Sequence, residues 1–235
     1  FAGLSTGNFN ETTARLYVDS MLFTGRKRIA HDVAAVFDFF ESTPANRTLE
    51  PPKFKSLLVS PFNMRKEFCR LIDEEMKKGA AGYICFKTNH LTDTNIIHRL
   101  HEAANAGVQE DLIVRTTCAI TPAPNMRAIS ILDRFLEHQR IYVFGRGEDA
   151  QVYMSSSDLM ERNLDWRVEA AFPILDPEIR KTVLDLVAIQ VADNCKARHL
   201  DKNQENNYVF GERGARRAQY ATYAYFANGT PEAHT

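Results

Sequence analysis

The residue types best suited to chemistry lie close together in one part of the chain. The run Phe135-Leu136-Glu137-His138-Gln139-Arg140 precedes a strand-turn-strand pattern that ends on Ser155-Ser156-Ser157-Asp158. Arg140 stands two positions after His138, so on an extended backbone both side chains share a face. A neutral imidazole can attack phosphorus or protonate a leaving oxygen, and a guanidinium can hold two phosphate oxygens. A carboxylate such as Asp158 can set the imidazole tautomer. His138 is therefore the candidate catalytic residue, with Arg140, Ser156 and Asp158 as candidate phosphate contacts. A second small-polar turn, Ser5-Thr6-Gly7-Asn8-Phe9-Asn10, offers Asn8 in the same role. Two such half-sites suggest a pseudo-twofold site gripping phosphate from both sides.

The elements that must position these groups alternate. Residues 14–24 read as a strand, and residues 29–40 as an amphipathic helix with Val33, Val36, Phe37 and Phe40 on one face. Residues 41–53 hold three prolines and form the best linker candidate. Strands are expected at residues 56–60, 83–87, 112–115, 127–132, 140–144, 151–154 and 167–172. Helices are expected at residues 63–78, stopped by Gly79, and 94–106, closed by Gly107. A further helix opens at Asp176-Pro177-Glu178, with Ile179, Val183, Leu186, Val187 and Val191 as its buried face. An Ala/Tyr-rich helix with a basic start ends the chain. This alternation argues for an α/β fold with a mixed, mostly parallel sheet flanked by helices.

Other candidates follow from that arrangement. Arg115 ends the strand Asp111-Leu112-Ile113-Val114-Arg115, at the carboxyl end of a parallel sheet, where such sheets bind ligands. Tyr17 could stack on a base or serve as a half-buried core tyrosine. Arg162, Trp166 and Arg167 add two cations and one aromatic near His138. His90, His98 and His101 lack a carboxylate or cysteine at metal-ligand spacing, so no metal residues are nominated. There is no G-x-x-x-x-G-K-[ST] phosphate loop, and the Gly145–Gly147 and Gly211–Gly214 fragments are too short for a dinucleotide fingerprint.

The 235 residues can bury one good core or two small ones. With 29 Lys and Arg against 30 Asp and Glu, the net charge of −1 excludes a broadly basic nucleic-acid binder but not a local cationic pocket. Apolar runs are too short to cross a bilayer. Cys69, Cys85, Cys118 and Cys195 are scattered without C-x-x-C spacing and read as free thiols in a reducing cytosol. The start at Phe1, directly beside a motif, reads as a piece of a larger protein.

Five segments carry a resemblance. STGNFNETTARLYVDSMLFT, LIVRTTCAI, RAISILDRFLEHQRIYVF, VYMSSSDLMERNLDWRVEAAFPILDPEI and DNCKARHLD, in that order, resemble the C-terminal half of bacterial polyphosphate kinase, the type related to phospholipase D. The resemblance implies two phospholipase D-like domains, with residues 1–50 the C-terminal part of the first and 54–235 the second. It implies reversible transfer of the ATP terminal phosphate to polyphosphate through a phosphohistidine. Tyr17 matches the tyrosine that lies against adenine, and Arg115 and His138 match two further ATP-contacting residues. Magnesium, a homo-oligomer, ATP, ADP and inorganic polyphosphate as partners, and a cytoplasmic place with peripheral membrane association left open are implied too.

The chain departs from the pattern in three ways. The phosphoacceptor histidine, in an I-H-A-K block, and the arginines that contact magnesium belong to segments upstream of the glycine-asparagine turn. The loop after Cys118 is short, and Thr116 stands where a glycine is usual. Arg140, Arg162 and Arg167 are the residues expected to line a polyphosphate channel. Two other readings stay open: a phosphodiesterase of the phospholipase D superfamily, and a non-catalytic polyphosphate-binding or assembly module. The kinase reading requires Tyr17 and His138 to face one cleft.

Overall fold

The computed structural model describes residues 1–42, 51–211 and 214–228. The chain begins with β1 (Ala2–Ser5), a single helical turn α1 (Glu11–Ala14), β2 (Tyr17–Val18), β3 (Met21–Thr24) and α2 (Lys27–Glu41). There follow β4 (Leu58–Ser60), α3 (Met64–Met76), β5 (Tyr83–Leu91), α4 (Thr94–Asn105), β6 (Gln109–Cys118) and β7 (Met126–Ile131). The rest comprises β8 (Leu136–Glu137), β9 (Arg140–Phe144), β10 (Gln151–Ser155), β11 (Glu169–Pro173), α5 (Pro177–Val191), β12 (Ala197–His199) and α6 (Ala218–Asn228).

Eight strands form one sheet in the order β12-β7-β6-β5-β9-β10-β11-β4. Period-two alternation divides its residues between two cores. Ile84, Phe86, Leu112, Tyr142 and Phe144 pack with Met64, Phe68, Ile96 and Leu100 of α3 and α4. Cys85, Ile141, Val143 and Val152 face the other way, against Ile29 of α2, Val183 and Val187 of α5, and Ala2 and Leu4 of β1. The mixed sheet flanked by helices is thus as expected, but not its mostly parallel character. Only β5–β6 and β6–β7 run parallel in it, and β12–β7, β5–β9, β9–β10, β10–β11 and β11–β4 are antiparallel. The reason is local: α4 makes the one helical crossover between sheet neighbours, whereas β9 returns to β5 and turns tightly into β10 through Gly145, at φ +85°.

Some boundaries differ from the sequence reading. Residues 14–24 do not form one strand. Asn10 accepts hydrogen bonds from the Thr12 and Thr13 amides and starts a helical turn, leaving β2 and β3 as separate pieces. Phe37 and Phe40 of α2 are exposed, and so is Ile179 of α5, where Gln190 takes a buried place instead. The linker expected at residues 41–53 falls mostly on residues 43–50, outside the described residues. Beyond it, one Asp32 carboxylate oxygen accepts from the backbone amides of Lys55, Ser56 and Leu57, tying that segment to α2.

This topology gathers several strand ends on one edge. β5 and β6 finish there, β9 begins there because it is antiparallel to β5, and β10 finishes there, with Ser155 paired to Arg140. The short parallel pair β2–β8 lies across that edge, with Tyr17 opposite Leu136 and Val18 opposite Glu137.

Candidate functional site

The β2–β8 pair brings residues far apart in sequence into contact. The backbone amides of His138 and Gln139 both donate to the Val18 carbonyl, which fixes His138 just past the end of β8. The Tyr17 and His138 rings lie 4.8 Å apart at an interplanar angle of 53°. The imidazole Nδ1 is 3.0 Å from both carboxylate oxygens of Asp19, so Nδ1 carries the proton and Nε2 is left as an acceptor. Asp19 is held in turn by the Thr6 hydroxyl at 2.7 Å. Burial alone would raise the Asp19 carboxyl, but hydrogen bonds from His138 and Thr6, with the nearby His138 and Arg140 charges, outweigh it and lower its pKa.

The glycine of the Thr6-Gly7-Asn8 turn has a specific cause. A Cβ on Gly7 would come within 2.1 Å of the Asp19 carboxylate. That turn therefore seats Asp19, while Asn8 is exposed.

Beneath His138 lies a second layer. Arg140 donates to both oxygens of Asp158, with Nε at 3.1 Å and Nη2 at 3.0 Å, and its Nη1 donates to the Thr6 carbonyl at 2.9 Å. Nη1 also lies 3.1 Å from His138 Nε2. Asp158 further accepts from the Thr88 hydroxyl and the Asn89 and His90 amides. Its burial would raise its pKa, and Arg140 with these donors lowers it instead. Glu137, the inward neighbour of His138, is paired to Lys87 at 2.8 Å, with Gln190 and Gln219 completing its shell.

Arg115 reaches the site from the end of β6 and donates through Nη1 to the Glu137 carbonyl at 3.0 Å. Its Nε is buried without a partner, and no carboxylate pairs with it among the described residues. Burial and the Arg140 charge lower its pKa. A guanidinium in this setting suits an anion.

Other nominated residues are placed differently. The Ser156 hydroxyl donates to Glu169 at 2.5 Å and accepts from the Ala170 amide, so it stitches β10 to β11 rather than facing the cleft. Asp158 and Arg140, 5% and 8% exposed, spend their polar atoms on each other and on the backbone, a bracing geometry rather than an open phosphate contact. Arg167 is exposed, with Glu169 3.9 Å away, and Trp166 is exposed too. Arg162 is exposed on a π-type turn (Arg162–Trp166), and its charge is felt at His90. Sequence reasoning did not nominate Asp19, Thr6 or Gly7; the signal was Asp19 itself, a carboxylate two residues after Tyr17.

Among the described residues no group of three or more His, Cys, Asp or Glu side chains could hold a metal ion. The carboxylates at the site, Asp19 and Asp158, are already engaged. Magnesium therefore does not fit these residues.

Family models match the chain in two parts: polyphosphate kinase C-terminal domain 1 at residues 1–46 and C-terminal domain 2 at residues 57–219. The chain belongs to the polyphosphate kinase family. The polyphosphate kinase of Salmonella typhimurium is 44% identical over 236 residues, covering 96% of this chain and 33% of that protein. That of Vibrio parahaemolyticus is 42% identical over 237 residues, covering 97% of this chain and 33% of that protein. The crystal structure of polyphosphate kinase from Porphyromonas gingivalis superposes with a TM-score of 0.90 at 41% identity, covering 97% of this chain and 36% of that one. The chain thus spans about a third of the length of the curated relatives it matches. No helix among the described residues is long and apolar enough to cross a membrane.

Proposed function

We propose that this chain supplies the nucleotide-facing wall of an ATP–polyphosphate phosphotransferase. The observation that carries the reading is the Tyr17–His138–Asp19 contact, with the carboxylate-free Arg115 beside it. An aromatic face, an oriented imidazole and an uncompensated guanidinium match the base and phosphates of a nucleotide. The two family matches support dividing the chain near residue 50 into the end of one phospholipase D-like domain and a second such domain.

ATP lies with its base on Tyr17 and its phosphates toward Arg115 and His138. A histidine outside these 235 residues attacks the γ-phosphorus, forming an N–P bond as the bond to the β-bridging oxygen breaks. The phosphoryl group then passes to the terminal oxygen of polyphosphate. Charge in this loose transition state gathers on phosphate oxygens, so placement and neutralisation do most of the work. When His138 carries a second proton, on Nε2, it donates that proton to such an oxygen and returns to the neutral Nδ1–H form that Asp19 holds. Arg140 and Asp158 hold His138 in place and are not channel walls. Among the described residues no group of side chains is placed to hold magnesium.

The test uses the full-length polypeptide that contains this chain, incubated with ATP. Acid-labile phosphoenzyme and polyphosphate are expected from the wild type. His138→Ala should cut turnover by about 10²–10⁴-fold with an unchanged melting temperature. Near-normal polyphosphate synthesis by that variant would refute the role of His138, and a wild type that makes no polyphosphate would refute the whole reading.

A further inference from the structure

His90 stands outside the groups used so far, yet it lies on the same edge. It sits at the end of β5, and its backbone amide donates to Asp158, the carboxylate that braces Arg140. Its Nδ1 lies 3.0 Å from the Thr117 hydroxyl and 3.4 Å from that of Thr116, both at the exposed end of β6 next to Arg115. The Thr116 hydroxyl donates to the Asn89 carbonyl at 2.7 Å, so its proton is committed there. The Thr117 hydroxyl has no other hydrogen bond among the described residues and can donate to Nδ1. With Thr117 as the donor the ring proton stands on Nε2, which has no hydrogen bond among the described residues.

The charges facing this ring are Arg115, Arg162 and Arg140 against the single carboxylate Asp158. Asp158, the strongest single charge on the ring, is paired with Arg140, and Arg115 and Arg162 add positive charge beyond that pair. Burial and these three guanidinium groups lower the His90 pKa, which keeps the ring neutral and a hydrogen-bond donor at pH 7. A neutral N–H donor in the field of the Arg115 and Arg162 guanidinium groups fits an extended polyanion better than a metal ion, which those cations would repel.

We propose that His90, seated by Thr117 and flanked by Arg115 and Arg162, forms an outer phosphate subsite that holds a unit of the inorganic polyphosphate chain. The subsite rests on the phosphotransferase reading, since Asn89, next to His90, donates through Nδ2 to the His138 carbonyl at 3.3 Å. His90 acts here as a binding residue and takes no part in bond breaking.

The experiment is steady-state kinetics on the full-length enzyme in the ATP-forming direction, with long-chain inorganic polyphosphate and ADP varied separately. His90→Ala should raise KM for polyphosphate by about threefold to tenfold, the loss of one hydrogen bond, with a smaller change in kcat and in KM for ADP. Thr117→Val should move the same constant in the same direction. A KM for polyphosphate within about twofold of wild type in both variants overturns the subsite while leaving the parent reading standing. So does a fall in kcat with lowered melting temperature and unchanged KM, which would make His90 a staple between β5 and β6. A wild type without phosphotransfer removes the parent reading and the subsite with it.

Discussion

Asp158 and Glu110 are both buried carboxylates of the same sheet region, and their environments are opposite. Asp158 lies at the edge where β5 and β6 end and accepts from Arg140, Thr88 and two backbone amides. Glu110 lies at the other end of β6, 2% exposed, with neither carboxylate oxygen partnered among the described residues. Burial pushes both upward; only at Asp158 do donors reverse the sign, whereas the Glu110 carboxyl is raised to about 8. Donors converge where the chain orients an imidazole and are missing where it only closes a core. Burial of charge is therefore no sign of function in this fold, and the supply of partners is the better guide.

Removing the donor side should break the contrast. Arg140→Met leaves Asp158 with neutral donors only, an incompletely compensated buried charge, so stability should fall by about 3–5 kcal/mol. Chemical denaturation of the variant measures this, and a loss under about 1 kcal/mol would mean that the neutral donors suffice. Because Arg140 also touches His138, activity in the full-length enzyme should fall as well.

Glu110 tests the other end. Its folded pKa near 8 exceeds the unfolded value near 4.5, so the folded state keeps a proton that the unfolded chain releases. Stability is full below pH 4.5 and declines as pH rises toward 8. Glu110→Gln should remove that slope and stabilise the chain by about 1–3 kcal/mol above pH 8. Equal pH profiles for the variant and wild type would show that the carboxyl finds partners in solution.

The same contrast explains what was legible in the sequence. His138, Arg140 and Asp158 were readable as a group because they stand at or just beyond the adjoining ends of two paired strands, β9 and β10, whose register places Ser155 opposite Arg140. Helix starts with a local cap, such as Asp176 before Pro177, were readable because the signal is contiguous. The direction of β9 was not, because it depends on which strand accepts its hydrogen bonds rather than on any residue of its own. Asp19 was missed for a similar reason: its partners Thr6 and His138 lie 13 and 119 positions away. Ser156 misled because its hydroxyl suits a phosphate as well as it suits Glu169.

Gly7 sharpens the comparison at the scale of one methyl group. Gly7→Ala places a carbon where the Asp19 carboxylate now lies, so Asp19 must leave His138 or the turn must open. The expected result in the full-length enzyme is a fall in kcat of about tenfold, the loss of one charge-assisted hydrogen bond. Asp19→Asn should give a similar loss, since the amide keeps the volume and removes the charge. If Asp19→Asn is silent and Gly7→Ala is not, the turn matters for its shape and the carboxylate does not orient the ring.

Tyr17 separates substrate placement from the bracing that Asp158 represents. Its ring is half-buried against His138 and its backbone belongs to β2, so removing the side chain leaves the β2–β8 hydrogen bonds in place. Aromatic stacking contributes about 0.5–1.5 kcal/mol, so Tyr17→Ala should raise KM for ATP by about twofold to tenfold and Tyr17→Phe by less. On the proposed reading the ring touches the base and not the transferred phosphoryl group, so the effect belongs in KM. A drop in kcat with KM unchanged would reassign Tyr17 from the nucleotide to the packing of His138, placing it with Arg140 and Asp158 among the residues that only hold the imidazole still.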